Sequence, residues 1–162
     1  KRDNECKKAE KISIFNFGNN SDYFEMTKLN DNGTGTYIYS TDLKTLFTFK
    51  TKNKKLRLSE INFYYIYIYD TGAISSCSIQ FKLESNQVSH EFTNELSTHP
   101  DKLAKRHYDI NILSSNIDLE PFSDYELQAK KISECTLVYI KPRTHYRGTH
   151  SRGFIKFYPL KE

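Results

Sequence analysis

Hydrophobic and polar residues alternate along this chain with a period of two, the spacing that places successive side chains on opposite faces of a β-strand. The strongest run is Glu60–Tyr69, with Ile61, Phe63, Tyr65, Tyr67 and Tyr69 on one face and Asn62, Tyr64, Ile66 and Ile68 on the other. Both faces are largely apolar, which predicts a central strand covered on both sides. The next run, Ser75–Leu83, puts Cys77, Ile79, Phe81 and Leu83 inward and Ser78, Gln80 and Lys82 outward. Asp70-Thr71-Gly72 between the two is a turn signal, so the pair reads as a hairpin.

Further strands are expected at Lys11–Phe17, Tyr23–Leu29, Thr36–Ser40, Leu46–Thr51, Val88–Thr93, Tyr108–Leu113, Cys135–Ile140 and Phe154–Tyr158. They are short, and clusters of Asn, Asp, Gly and Ser separate them. That spacing predicts an all-β fold, an antiparallel β-sandwich of jelly-roll or Greek-key type. One or two short helices join it. Thr98 with Pro100 in the first turn would cap a helix through Asp101–Arg106. Ser123-Asp124-Tyr125-Glu126 is a capping box before Leu127–Lys131, although Tyr125, Leu127 and Ala129 also alternate as a strand would. Residues 1–10 read as a flexible N-terminal segment and 11–162 as one sandwich domain.

Composition sharpens this picture. Tyr (12) and Phe (11) stand against no Trp, so these two residues carry much of the buried area. The aromatic face Phe63, Tyr65, Tyr67 and Tyr69 could be a ligand platform, but packing beneath a second sheet is the favoured reading. The net charge of +4 is unevenly spread. Lys50, Lys52, Lys54, Lys55 and Arg57 form one basic segment without an acid. Lys141, Arg143, Arg147 and Arg152 form another, leaving an acidic remainder. Both segments can also be read as solvated loop and edge-strand charges, and for the first segment that is the favoured reading.

The second segment contains the most informative feature of the chain, a perfect tandem of Thr-His-x-Arg-Gly. Thr144-His145-Tyr146-Arg147-Gly148 is followed directly by Thr149-His150-Ser151-Arg152-Gly153. Three guanidinium groups suit sulfate, phosphate or carboxylate, Tyr146 could stack on a sugar or base, and His145 and His150 add charge at mildly acidic pH. The expected ligand-binding set is therefore Lys141, Arg143, His145, Tyr146, Arg147, His150 and Arg152, with Lys50–Arg57 as a second basic patch.

No P-loop, GxGxxG, GxSxG or HExxH pattern is present, so neither catalysis nor a cofactor is expected. Asp118, Glu120, Asp124 and Glu126 read as a solvated acidic run. Asn30–Thr34 resembles the start of a calcium loop only faintly, and His145 with His150 lacks further ligands, so no metal site is expected. Three cysteines leave at least one unpaired within the chain. The favoured disulfide is Cys77–Cys135, with Cys6–Cys135 as its rival. Sequons place possible glycans on Asn19 and Asn32.

These features together describe a non-catalytic secreted or surface binding module for an extracellular protein or an anionic glycan. Nucleic acid is a lesser possibility at a pI near 8.8, and no membrane span is expected. The alternatives are an assembly module that self-associates through β edges and the aromatic face, and a small hydrolase of unrecognised type.

Overall fold

The computed structural model describes residues 10–13, 22–29, 36–38, 42–63, 65–69, 76–97, 110–132, 137–141 and 154–160. In chain order the strands are β1 (Glu10–Ser13), β2 (Phe24–Leu29), β3 (Thr36–Ile38), β4 (Lys44–Thr51), β5 (Leu56–Phe63), β6 (Tyr65–Tyr69) and β7 (Ser76–Glu84). They continue with β8 (Ser89–Ser97), β9 (Ile110–Asn111), β10 (Ile117–Leu119), β11 (Asp124–Lys131), β12 (Leu137–Lys141) and β13 (Phe154–Pro159). The fold is all-β and antiparallel, and no helix occurs among the described residues.

The first sheet has the order β1-β13-β5-β10, with β9 also paired to β5. The second has the order β2-β4-β11-β7-β8, and a smaller third sheet has the order β3-β12-β6. Alternation puts one face of each five-stranded sheet into a common hydrophobic cluster. Phe24, Phe47, Phe49, Phe81, Leu83 and Leu127 enter it from the second sheet, and Leu56, Leu58, Ile61, Leu119, Ile155 and Phe157 from the first. Phe24 meets Phe157 edge to face at 4.9 Å and Phe49 at 5.4 Å, so this ring couples the two sheets directly.

Two adjacent crossings pass from one sheet to the other. Residues 52–55 lead from β4 to β5, and residues 120–123 lead from β10 to β11. Because β4 pairs with β11 and β5 with β10, a single antiparallel ladder folds around this corner: Asp124↔Lys50 lies on one side, Leu119↔Leu56 on the other. Three backbone bonds of 2.9 Å hold the bend, from Thr51 N to Ser123 O, Phe122 N to Lys52 O and Lys52 N to Tyr23 O.

Several sequence expectations change. The run Glu60–Tyr69 is two strands in different sheets: its first half belongs to β5, beside β13, and its second is β6, beside β12. A run apolar on both faces carries no mark of where it changes partner. The expected hairpin between this run and Ser75–Leu83 is absent. Both edges of β7 are taken, by β8 and β11, which leaves none for β6. The hairpin partner of β7 is β8, joined by a tight turn in which Ser85 Oγ accepts from Gln87 N and Val88 N.

The capping-box segment is strand β11, not a helix. Tyr125, Leu127 and Ala129 are buried; of the two capping side chains, Glu126 accepts from the Thr45 hydroxyl on β4 and Ser123 Oγ donates to Pro121 O within its own turn. The helix expected at Thr98–Arg106 lies outside the described residues, as do the side chains of Ile66, Ile68 and the Tyr65–Tyr69 face. Ile79, Phe81 and Leu83 are fully buried, as the alternation requires. Among the described residues no helix is long and apolar enough to cross a membrane.

Candidate functional site

The tandem pentapeptide lies outside the described residues, but its two flanks do not. Lys141 ends β12 in the third sheet, and Phe154 begins β13 in the first. β12 and β13 belong to different sheets, and Arg143, His145, Tyr146, Arg147, His150 and Arg152 lie outside the described residues. Asn19 and Asn32 also lie outside the described residues, as does Cys135, whereas Cys77 belongs to β7.

The second basic segment is fully placed, at the corner. Lys50 and Thr51 end β4, residues 52–55 form the crossing, and Arg57 enters β5. Neither strand is a sheet edge, since β4 lies between β2 and β11 and β5 between β13 and β10. The edge-strand explanation of these charges therefore does not apply. Two of the five are matched to acids on the facing segment, Arg57 to Asp118 and Lys55 to Glu120. Arg57 and Asp118 are directly opposite in the β5–β10 ladder, and the guanidinium grips the carboxylate through Nε at 2.8 Å and Nη2 at 3.3 Å. Lys55 Nζ lies 3.3 Å from Glu120. Lys50 stands in register between Asp124 and Glu25 on the neighbouring strands. Within the acidic run, which is largely exposed, Asp118 and Glu120 are thus the counter-charges of Arg57 and Lys55.

The hydrogen bonds from Arg57 hold the Asp118 carboxyl below the usual carboxylate range, against an opposing contribution from burial. Tyr125 carries the link into the core. Its ring stacks on Phe49 at 5.4 Å and 16°, and its hydroxyl accepts the Glu120 N–H at 2.9 Å. Burial pushes this phenol above its ordinary pKa.

Beside the corner is an open cleft of about 410 Å³. One wall is the outer strand β10 with Asn116, Ile117 and Asp118, joined by Arg57 and Glu120. The other is the β7–β8 turn with Ser85, Gln87 and Val88, followed by His90. Tyr125 also lines it. The cleft thus offers donors and acceptors of both signs, with a small apolar part from Val88, Ile117 and Tyr125. Arg57 and Asp118 hold each other in its lining, while the partner of Glu120 is Lys55, outside the cleft. Among the described residues no cluster of three His, Cys, Asp or Glu side chains could hold a metal.

Of the cleft, the sequence pointed only to Arg57 and the two acids, and it did not join them. Ser85, Gln87, Val88, His90, Asn116 and Ile117 come from two distant turns, and no local pattern marks them. No protein-family model matches the chain, and no curated protein is detectably similar to it in sequence.

Proposed function

We propose that this chain is a non-catalytic binding module, secreted or displayed on a surface, which engages an extracellular protein or an anionic glycan partly through Lys141–Arg152. The two five-stranded sheets are read as the layers of a single sandwich domain spanning 11–162, with Greek-key or jelly-roll connections across the corner. The fold itself favours no function, so the reading rests on how charge is sorted between the two basic segments.

That sorting is the observation that supports it. In the Lys50–Arg57 segment, Arg57 is paired with Asp118 in β10 and Lys55 with Glu120 in the following crossing. Between Lys141 and Arg152 the chain contains no acid at all, and the strands that bracket this stretch belong to different sheets. Planar guanidinium forks suit sulfate, phosphate or carboxylate. Tyr146 adds a ring for stacking, and His145 and His150 make the interaction stronger at lower pH.

A glycan array and a pull-down from an extracellular proteome test the reading. The parent and a variant lacking Arg143, Arg147 and Arg152 are compared. Sulfated or carboxylated glycans, or a discrete acidic protein, bind the parent and are lost by the variant. Identical profiles for the two would remove the loop from any binding role.

A further inference from the structure

An edge strand presents a row of unpaired N–H and C=O groups, which folds usually blunt with short strands, bulges, Pro or Lys. Of the strands at the edges of the described sheets, β1, β3, β6, β9 and β10 have five residues or fewer. The edge strand β2 has a register shift between Met26 and Lys28, and Lys28 itself. β8 has none of these devices. It runs for nine residues without Pro, Gly or Lys and keeps an unbroken register with β7, from Glu84↔Ser89 to Ser76↔Ser97. It is also held in place, since Asn94 Nδ2 donates at 3.2 Å to Ile112 O in the segment that follows β9.

The ladder decides which backbone groups of β8 face outward. In an antiparallel pair, residues that exchange hydrogen bonds alternate with residues that do not. Ser85 N donates to Val88 O at 2.9 Å, so the bonds between β7 and β8 fall on the even-numbered residues of β8. On the far side of β7, Ile132 N donates to Ser78 O at 3.0 Å. This turns the even-numbered residues of β7 toward β11 and leaves its odd-numbered ones for β8, in agreement. The N–H and C=O groups of Glu91, Thr93 and Glu95 therefore point to the open edge. Their side chains are exposed, on the face opposite the buried Phe92. Among the described residues no strand other than β7 pairs with β8.

Charge selects the occupant. The outward charged residues of the β11–β7–β8 ladders are Glu126 and Lys130, Lys82 and Glu84, and Glu91 and Glu95 in turn. Lys131, in register with Ile79, falls on the other face, as does His90, which lines the cleft. Lys82 faces Glu91 but is held by Glu84 at 2.9 Å, and Lys130 stands two strands away. Carboxylates thus outnumber cations on this face, and β8 itself supplies only carboxylates. A second copy is a poor match. Two β8 strands paired along their whole length centre on Thr93 and set Glu91 against Glu95 twice, and like charges directly opposite are destabilising. A strand with Lys or Arg at alternate positions instead meets both carboxylates while its main chain completes the ladder.

We infer that the β8 edge takes up an extended cationic segment of a partner protein as an added antiparallel strand, its Lys or Arg side chains opposite Glu91 and Glu95. The site is separate from Lys141–Arg152, and neither reading depends on the other. The probe is an acetylated peptide of the length of β8 that alternates Lys with Thr, titrated into the isotope-labelled full chain. The amide signals of Glu91, Thr93 and Glu95 should shift, and their exchange with solvent should slow. Residues directly opposite share a face, so the Lys residues are the ones that bond to the edge. N-methylation of the Lys residues should abolish binding and N-methylation of the Thr residues should spare it, although the two peptides have the same charge. Glu91→Lys/Glu95→Lys should weaken binding of the Lys peptide roughly tenfold or more and allow a Glu-Thr peptide to bind. The Arg143→Ala/Arg147→Ala/Arg152→Ala variant should bind the Lys peptide as the parent does. No binding, equal effects of the two methylation patterns, or shifts centred away from β8 would overturn the proposal. Slowed exchange at these amides as the chain alone is concentrated would overturn it in favour of pairing between copies.

Discussion

The Thr51 hydroxyl ties the two crossings together, donating to the Glu120 carbonyl at 2.6 Å and accepting the Ser123 N–H at 2.9 Å. The side chain is 1% exposed, so water does not replace either bond when it is removed. Thr51→Val keeps the branched shape and deletes the hydroxyl. Urea unfolding should show a loss of about 1–3 kcal/mol, the usual effect of leaving buried backbone groups without partners. A variant as stable as the parent would mean that the corner is held by its backbone bonds alone.

Asp118 gives the fold a directional pH dependence. Its carboxyl is held down by Arg57, so the folded state prefers the ionised form more strongly than the unfolded chain does. The associated stability is complete above the unfolded carboxylate value and disappears as pH falls through the lower folded value. Asp118→Asn should therefore be less stable than the parent near neutrality, and the gap should close in acid. Carbon-detected NMR titration of Asp118 in the parent and in Arg57→Gln checks the cause directly: without the guanidinium the carboxyl should titrate at higher pH.

Phe81 is fully buried in β7 and lies in register with Phe92 across β8. Phe81→Ala should cost about 3–5 kcal/mol in a chemical denaturation series, as emptying a large core site does. A small change would show that the common cluster of the two sheets does not depend on this ring.

How far the sequence reveals the fold is clearest in β7 and β11. In both, strict alternation identified the buried residues, and in β11 burial of Tyr125, Leu127 and Ala129 prevailed over the capping-box signal of Ser123 and Glu126. Alternation assigns a face, but it does not assign a neighbour. The Ile61–Tyr69 pattern is uniform through the point where the chain leaves β13 for β12, and β7 is paired by a strand that comes about forty residues later in the chain. The cleft was least legible for the same reason. Arg57 meets Asp118 only because the β4–β5 and β10–β11 crossings fold around one corner, and neither segment contains a record of the other.

One of the three cysteines, Cys77, has a place in the second sheet. The β11–β7 ladder runs to Lys131↔Ile79, and Ile132 N then reaches Ser78 O at 3.0 Å. Cys77 precedes Ser78 in β7, and Cys135 lies outside the described residues. Peptide mapping of unreduced protein should recover a Cys77–Cys135 peptide. Recovery of Cys6–Cys135 instead, or of three free thiols, would rule out this pairing.

The account depends most on the tandem between β12 and β13, and a calorimetric titration of heparin against three proteins tests it. The parent should bind, with affinity falling as salt is added because exposed charges are screened over ~10 Å at 0.1 M. Lys55→Ala/Arg57→Ala, which removes cations already matched to Glu120 and Asp118, should bind nearly as well. Arg143→Ala/Arg147→Ala/Arg152→Ala should lose ~1.5–3 kcal/mol for each well-formed charged hydrogen bond removed. Equal binding by the parent and the triple arginine variant, or a larger loss in the Lys55/Arg57 variant, would contradict the account.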